Sequence, residues 1–140
     1  MALLDRKSLL AKEKLEVVKV ELGDDFVYVR QMTGRERDNF EQSLLKEVKD
    51  SRGQIVSYER SLQDFRAKLA VCTICDDKGT AILQPNDYPI LSQSMSAAKL
   101  EKIVQEAQKL NKITEEDKEG IVKNSVAAPG GNSNSASVEN

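Results

Sequence analysis

The chain has 140 residues, of which 31% are charged and 4% aromatic, and its formal net charge is −2. This length suits one domain whose core needs neither metals nor disulfides. The acidic balance argues against a nucleic-acid binder, and no apolar run approaches the roughly 18–20 residues that span a bilayer. The N-terminus lacks a signal peptide's basic and then apolar segments, so we expect a cytoplasmic protein with reduced cysteines.

A short helix is predicted over residues 5–13, with Asp5 as its N-cap. Such a segment is too short to be stable as an isolated helix. We therefore expect Leu9 and Leu10 to dock it on the rest of the protein.

The next two segments are predicted to form a β-hairpin. Residues 15–22 and 25–32 are rich in strand-forming side chains, and Gly23-Asp24 between them is typical of a turn. A two-residue loop would pair four valines on one face, Val18 with Val29 and Val20 with Val27, and would place the other side chains opposite: Lys19, Glu21, Phe26 and Tyr28. A three-residue loop would instead bury Phe26 and Tyr28. We prefer the two-residue loop because it separates apolar from polar side chains more cleanly.

The hairpin leads into a predicted amphipathic helix over residues 34–49. Thr33 is a good N-cap, and Glu36 lies three residues later, so the two can form a capping box. Apolar residues then recur at the spacing of one helix face: Phe40, Leu44, Leu45 and Val48. The polar residues 50–53 are predicted to end this helix.

A second long helix is predicted to start near Ser57. Its apolar residues follow alternating steps of four and three, which is typical of a face that packs on another helix: Tyr58, Leu62, Phe65, Leu69 and Cys72. Residues 76–79 are predicted to form a turn, after which residues 81–83 add a short strand or cover the core.

Residues 85–94 are predicted to form a short helix. Asn86 or Asp87 can cap it, and Pro89 is tolerated because it lies in the first turn. This helix should end near Ser94.

A longer helix is predicted over residues 97–111, with Ser96 as its N-cap and Asn111 as its C-cap. It carries a continuous apolar face: Leu100, Ile103, Val104, Ala107 and Leu110. Thr114 with Asp117 is then predicted to cap a last short helix with two residues that reach the core: Ile121 and Val122.

From Ser125 onward the sequence is rich in Gly, Ser and Asn and has no periodic apolar residues. Such a segment cannot offset the entropy lost on ordering. We therefore predict one α+β domain over residues 1–124, in which an N-terminal β-hairpin leads into a mainly helical bundle. A disordered C-terminal tail is predicted over residues 125–140.

Cys72-Thr73-Ile74-Cys75 is the only motif that suggests a reaction. A zinc site would need a second cysteine pair or histidines, and the chain has no histidine. A redox pair would normally lie at a helix N-terminus, whereas this one lies at the C-terminal end of the predicted helix. We interpret Cys72 as a small core residue with an incidental neighbour. We assign no catalytic, cofactor-binding or metal-binding residue, and we expect a protein that is not an enzyme.

Residues 26–41 combine a strand with a helix start of the form Met-Thr-Gly-Arg-Glu-Arg-Asp-Asn-Phe-Glu. Residues 65–72 with the 76–79 turn, and residues 91–111 with the start at 114–117, follow in order. Together these segments resemble the strand–helix junction, second helix and C-terminal helices of tail assembly chaperones from long-tailed, siphovirus-like bacteriophages.

The resemblance covers roughly residues 12–124 and implies a non-enzymatic assembly factor without a cofactor. Members of that family work in the host cell cytoplasm, bind the tape measure protein and keep its long helical chain soluble. They help to recruit tail tube protein subunits and are absent from the mature virion. The resemblance also implies self-association, and it implies neither nucleic acid nor membrane as a partner.

A chaperone for such a client needs an apolar or aromatic surface surrounded by charge. We hypothesise that four residues form part of this surface: Phe26, Tyr28, Arg35 and Arg37. Two alternatives stay open. The aromatic side chains can lie under the helix of residues 34–49, and the arginines can form surface ion pairs with Asp38 and Glu41.

Two other functions compete with the chaperone. A minor virion component, such as a tail-completion or connector subunit, would share these features but would be found in purified particles. A small DNA-binding regulator would need a basic recognition helix, whereas the helix of residues 97–111 offsets its lysines with Glu101 and Glu106.

Overall fold

The computed structural model describes residues 1–114, 116 and 117. Its elements in chain order are α1 (Arg6–Leu10), β1 (Val17–Leu22), β2 (Asp25–Arg30), α2 (Gly34–Ser43), β3 (Leu45–Lys49), β4 (Ile55–Arg60), α3 (Phe65–Thr73), β5 (Ile74–Cys75), a 3-10 turn (Pro85–Asp87), α4 (Tyr88–Ser94) and α5 (Ala97–Asn111). The α+β class and the N-terminal hairpin leading into helices are confirmed. The predicted core contacts of Ile121 and Val122 and the predicted tail at 125–140 lie outside the described residues.

The N-terminal hairpin belongs to a three-stranded antiparallel sheet in the order β1-β2-β5. Val18 lies opposite Val29 and Val20 opposite Val27, which is the register of the two-residue loop. Gly23 has φ +88°, a conformation that favours glycine. The preferred register is therefore confirmed.

The core lies between the aliphatic face of this sheet and the helices α2, α3 and α5. Its buried residues come from each of these elements, from the residue after α2 and from the second residue after α5: Val20, Leu22, Val29, Phe40, Leu44, Phe65, Leu69, Ala70, Ile74, Leu100, Ile103, Val104, Ala107 and Ile113. Phe40 and Phe65 meet edge to face, with ring centroids 5.5 Å apart. Burial of this apolar surface is the main term that stabilises the fold.

The prediction of two long helices, over residues 34–49 and from Ser57 onward, is wrong between residues 45 and 60. The first ends at Ser43 and the second starts at Phe65, and a second hairpin, β3–β4, replaces the end of one and the start of the other. The reason is the turn between the strands: the Asp50 carboxylate accepts from the amides of Arg52 and Gln54, and Gly53 has φ +81°. This turn chemistry, flanked by β-branched and aromatic residues, favours two strands over a helix.

The N-terminal helix is shorter than predicted and does not dock. Asp5 caps it by accepting from the Ser8 amide at 2.9 Å, as predicted. However, α1 spans only 5 residues, and Leu9 and Leu10 are exposed. A helix this short has little more than one turn, so it offers too small an apolar face to hold it against the rest of the protein.

The caps and bounds of the C-terminal helices agree closely with those predicted from the sequence. Ser96 caps α5 by accepting from the Lys99 amide at 3.2 Å, and Thr114 pairs with Asp117 as a cap. Lys112, with φ 54°, takes the C-cap position predicted for Asn111. Ala81 forms a single bridge with Cys75, so residues 81–83 add one isolated pairing and no regular strand.

Candidate functional site

The β3–β4 hairpin exposes a group of large apolar side chains. Leu45, Ile55, Val56 and Tyr58 are 38%, 46%, 59% and 59% exposed. Within the described residues, β3 and β4 pair only with each other and form a separate two-stranded sheet. A lone two-stranded hairpin is marginally stable in water, so this one presents apolar surface that another molecule can cover.

The register places three of these four apolar side chains on one face of the hairpin. Leu45 lies opposite Arg60, Glu47 opposite Tyr58 and Lys49 opposite Ile55, and directly opposed residues share a face. We call this the hairpin face, with Leu45, Ile55 and Tyr58 as its apolar part and Glu47, Lys49 and Arg60 between them. This face therefore combines exposed apolar side chains with charges of both signs.

The base of the hairpin is anchored to the end of α2 and to α3. Leu44 is buried, and its carbonyl accepts a hydrogen bond from the Ser61 amide at 2.8 Å. The Lys68 ammonium donates to the Ser43 carbonyl at 2.7 Å. The hairpin is therefore fixed in direction where it leaves the core, while its turn at residues 50–53 is exposed or half-buried.

The predicted site residues Phe26 and Tyr28 lie together on the outer face of the first sheet. Their rings meet edge to face with centroids 5.5 Å apart, and the Lys19 ammonium lies 4.4 Å from the Phe26 ring centroid. Phe26 is 49% exposed, so it does not lie beneath α2 as the alternative reading required. This aromatic pair is a second, smaller exposed patch.

The predicted arginines differ from each other in their surroundings. Arg37 donates through Nε to Glu41 at 2.9 Å and through Nη1 to the Asn111 carbonyl at 3.0 Å, so it links α2 to the end of α5. Arg35 is exposed. Within residues 1–114, no hydrogen bond, ion pair or ring contact joins either arginine to Phe26 or Tyr28. The role of these four residues in client binding stays a prediction.

A partly buried ion pair that sequence reasoning missed fixes the junction between β2 and α2. Arg30 is only 5% exposed, and its guanidinium donates to both oxygens of Glu36, at 2.9 and 2.7 Å. The same carboxylate accepts from the Thr33 amide at 2.9 Å and so completes the capping box. The hydrogen bonds from Arg30 hold the pKa of Glu36 below its ordinary value, and Glu36 raises the pKa of Arg30. The capping pattern predicted the Thr33 contact, but nothing local predicted Arg30.

A groove of about 600 Å³ lies beside this ion pair, between α2, α3 and the segment before α4. Phe40, Val71 and Tyr88 contribute to its lining. The Lys68 ammonium lies 5.0 Å from the Tyr88 ring centroid and is also held by the Ser43 carbonyl. The groove therefore offers mainly apolar surface within the helical body.

The two cysteines are free, and burial raises the pKa of both thiols. A raised pKa favours the unreactive thiol over the thiolate. Cys75 is the fully buried one because it pairs with Tyr28 in the sheet, whereas Cys72 is half-buried. Cys72 packs against the core, as the sequence interpretation expected, and Cys75 is buried beside it in the sheet.

Within residues 1–114, 116 and 117, no group of His, Cys, Asp or Glu side chains is arranged to hold a metal ion. None of the helices in that part of the chain is both long and apolar enough to cross a bilayer. No protein-family model, curated protein or solved structure matches the chain. Its function is therefore argued from its own residues.

Proposed function

We propose that this protein is a non-enzymatic tail assembly chaperone of a long-tailed bacteriophage. It binds the tape measure protein, keeps that helical chain soluble and helps to recruit tail tube subunits. It acts in the host cell cytoplasm and does not remain in the mature virion. The resemblance over roughly residues 12–124 supports this proposal, and the observation that carries it is the exposed apolar face of the β3–β4 hairpin.

The hairpin face suits a helical client because of its chemistry. An amphipathic helix presents an apolar stripe with charged residues along both sides. Leu45, Ile55 and Tyr58 offer apolar contact to the stripe, while Glu47 and Lys49 offer charges of both signs beside it. Covering these side chains removes apolar surface from water, which favours binding by about 25 cal/mol per Å² before the costs of association are subtracted.

Co-expression with a tape measure protein, the client that the proposal names, tests the proposal. The wild-type chain should keep that client in the soluble fraction and co-purify with it. Ile55→Thr with Tyr58→Thr should remove most of this effect, because threonine keeps strand propensity while removing most of the apolar contact. Ile82→Thr is the matched control, since Ile82 is as exposed as Tyr58, at 59%, but lies outside the hairpin.

An unchanged yield of soluble client with the hairpin variant, or an equal loss with the control, would contradict the proposed surface. Purified phage particles provide the second measurement. Presence of this chain in particles at a fixed copy number would instead support a minor virion component.

A further inference from the structure

We propose that strand β3 pairs edge to edge with β3 of a second copy of this chain, so that the two hairpins form one four-stranded antiparallel sheet. The partner is the chain itself, and the contact is independent of the proposed client. The proposal starts from the open edges of the β3–β4 sheet, which within the described residues pairs with no other strand.

The backbone of β3 presents a regular edge. The Leu44 carbonyl accepts from the Ser61 amide, and the Asp50 amide donates to the Gln54 carbonyl. At both ends of β3, the even-numbered residues therefore direct their backbone groups toward β4. In an antiparallel ladder the inward and outward backbone groups alternate. Leu45, Glu47 and Lys49 therefore turn their N–H and C=O groups to the open edge.

The opposite edge of the hairpin is less suited to pairing. Val48 lies opposite Ser57, but the next residue, Lys49, lies opposite Ile55, so Val56 is an extra residue in β4. A bulge of this kind bends its strand and interrupts the ladder, which protects that edge against further pairing. The unbulged strand β3 is the edge that can receive a partner.

The side chains select one register for the pairing. A two-fold axis perpendicular to the sheet places residues of the same face opposite each other. With the axis at Val48, each Glu47 lies opposite Lys49 of the second copy, twice in the dimer. Within one chain these two charges already lie close, with the Lys49 ammonium 3.8 Å from the Glu47 carboxylate. Opposite charges at directly paired positions stabilise an antiparallel pair, whereas like charges destabilise it.

This arrangement also joins the two hairpin faces. The perpendicular axis leaves both faces on the same side of the combined sheet. In each copy the helices lie at the Leu45 end of β3, directly after α2, so the antiparallel pairing places the helices of the two copies at opposite ends. The sheet then has four strands, which exceeds the three that an independently stable sheet needs. Pairing would therefore stabilise each hairpin and double the continuous apolar surface.

The test uses charge reversal and sedimentation velocity on the full chain without any client. The wild-type chain should show a concentration-dependent monomer–dimer equilibrium in the micromolar range, weakened by salt. Glu47→Lys alone, or Lys49→Glu alone, makes both cross-strand pairs like-charged and should weaken the dimer about tenfold or more. Mixing these two single variants should restore a dimer, because every facing pair is then of opposite charge. The double variant Glu47→Lys with Lys49→Glu should also dimerise.

Glu59→Lys is the matched control, since it reverses the same charge on the bulged strand and should leave the dimer unchanged. Far-UV circular dichroism of each single variant checks that the domain stays folded. A wild-type chain that is monomeric throughout, single variants that dimerise like wild type, or a mixture that stays monomeric would each overturn the proposal. Because no client is present, these outcomes leave the proposed function to its own experiment.

Discussion

Removing the Glu36 carboxylate should destabilise the domain, because Arg30 would keep its charge in a nearly dry site. Losing one partner of a fully buried ion pair costs about 3–5 kcal/mol. The side chain of Glu36 is 37% exposed while that of Arg30 is 6% exposed, so solvent screens part of the interaction. We therefore expect Glu36→Gln to lower the free energy of unfolding by about 1–3 kcal/mol. Glutamine can still accept from the Thr33 amide, so the cap is retained.

Two further variants separate charge from capping. Glu36→Ala should cost about 1 kcal/mol more than Glu36→Gln, because it also removes the acceptor for the Thr33 amide. Arg30→Met combined with Glu36→Gln should be more stable than Glu36→Gln alone, because an apolar side chain then replaces the unpaired charge. Urea unfolding followed by circular dichroism at neutral pH measures all three differences.

Acidification supplies an independent check on the same pair. The folded-state pKa of Glu36 is lowered, so its contribution is fully present above the unfolded-state pKa of about 4.3 and is lost as the pH falls through the folded-state value. The difference in stability between wild type and Glu36→Gln should therefore shrink below about pH 4. The reasoning is refuted if Glu36→Gln matches wild type at neutral pH, or if its penalty is unchanged in acid.

Three other predictions follow from burial and hydrogen bonding. Leu69→Ala should lower the unfolding free energy by about 2–5 kcal/mol in urea titrations, since Leu69 has no solvent exposure, and a loss below about 1 kcal/mol would contradict its place in the core. Phe26→Ser with Tyr28→Ser should leave the domain folded by circular dichroism and, on our hypothesis, reduce client binding; undiminished binding by a folded variant would exclude this patch. A maleimide should label Cys75 only after denaturant is added, because its thiol is buried and its pKa raised, and rapid labelling of the native protein would contradict this.

Local patterns in the sequence predicted the elements whose signals agree with one another. In the first hairpin, alternating valines and a Gly23-Asp24 turn favoured the same register. In α5, the Ser96 cap and the apolar face favoured the same bounds. Each of these features depends on residues that are close in sequence, and such short-range interactions can be read without the tertiary structure.

Local sequence signals could not distinguish the second hairpin from a helix. Leu45 and Val48 are three residues apart, which fits a helix face, while Lys46 and Glu47 between them are good helix formers. The contacts that decide for strands are longer in range, such as the bond between Ser61 and Leu44 at the base of the hairpin. Asp50 and Gly53 were the local signal that favoured a turn between two strands. The candidate site was missed together with the hairpin that carries it.

Asn111 ties the beginning of the domain to its end. Its side-chain oxygen accepts from the Met32 amide at 2.7 Å, across a separation of 79 residues, and its carbonyl accepts from Arg37. At roughly 5–20 residues per second, a ribosome needs about 4–16 s to add a stretch of that length. During this time the N-terminal half of the nascent chain lacks its hydrogen bonds to Asn111, and the valines that are buried in the folded domain remain exposed to water. The interval before Asn111 is synthesised is therefore the stage at which a cellular chaperone would benefit the folding of this chain most.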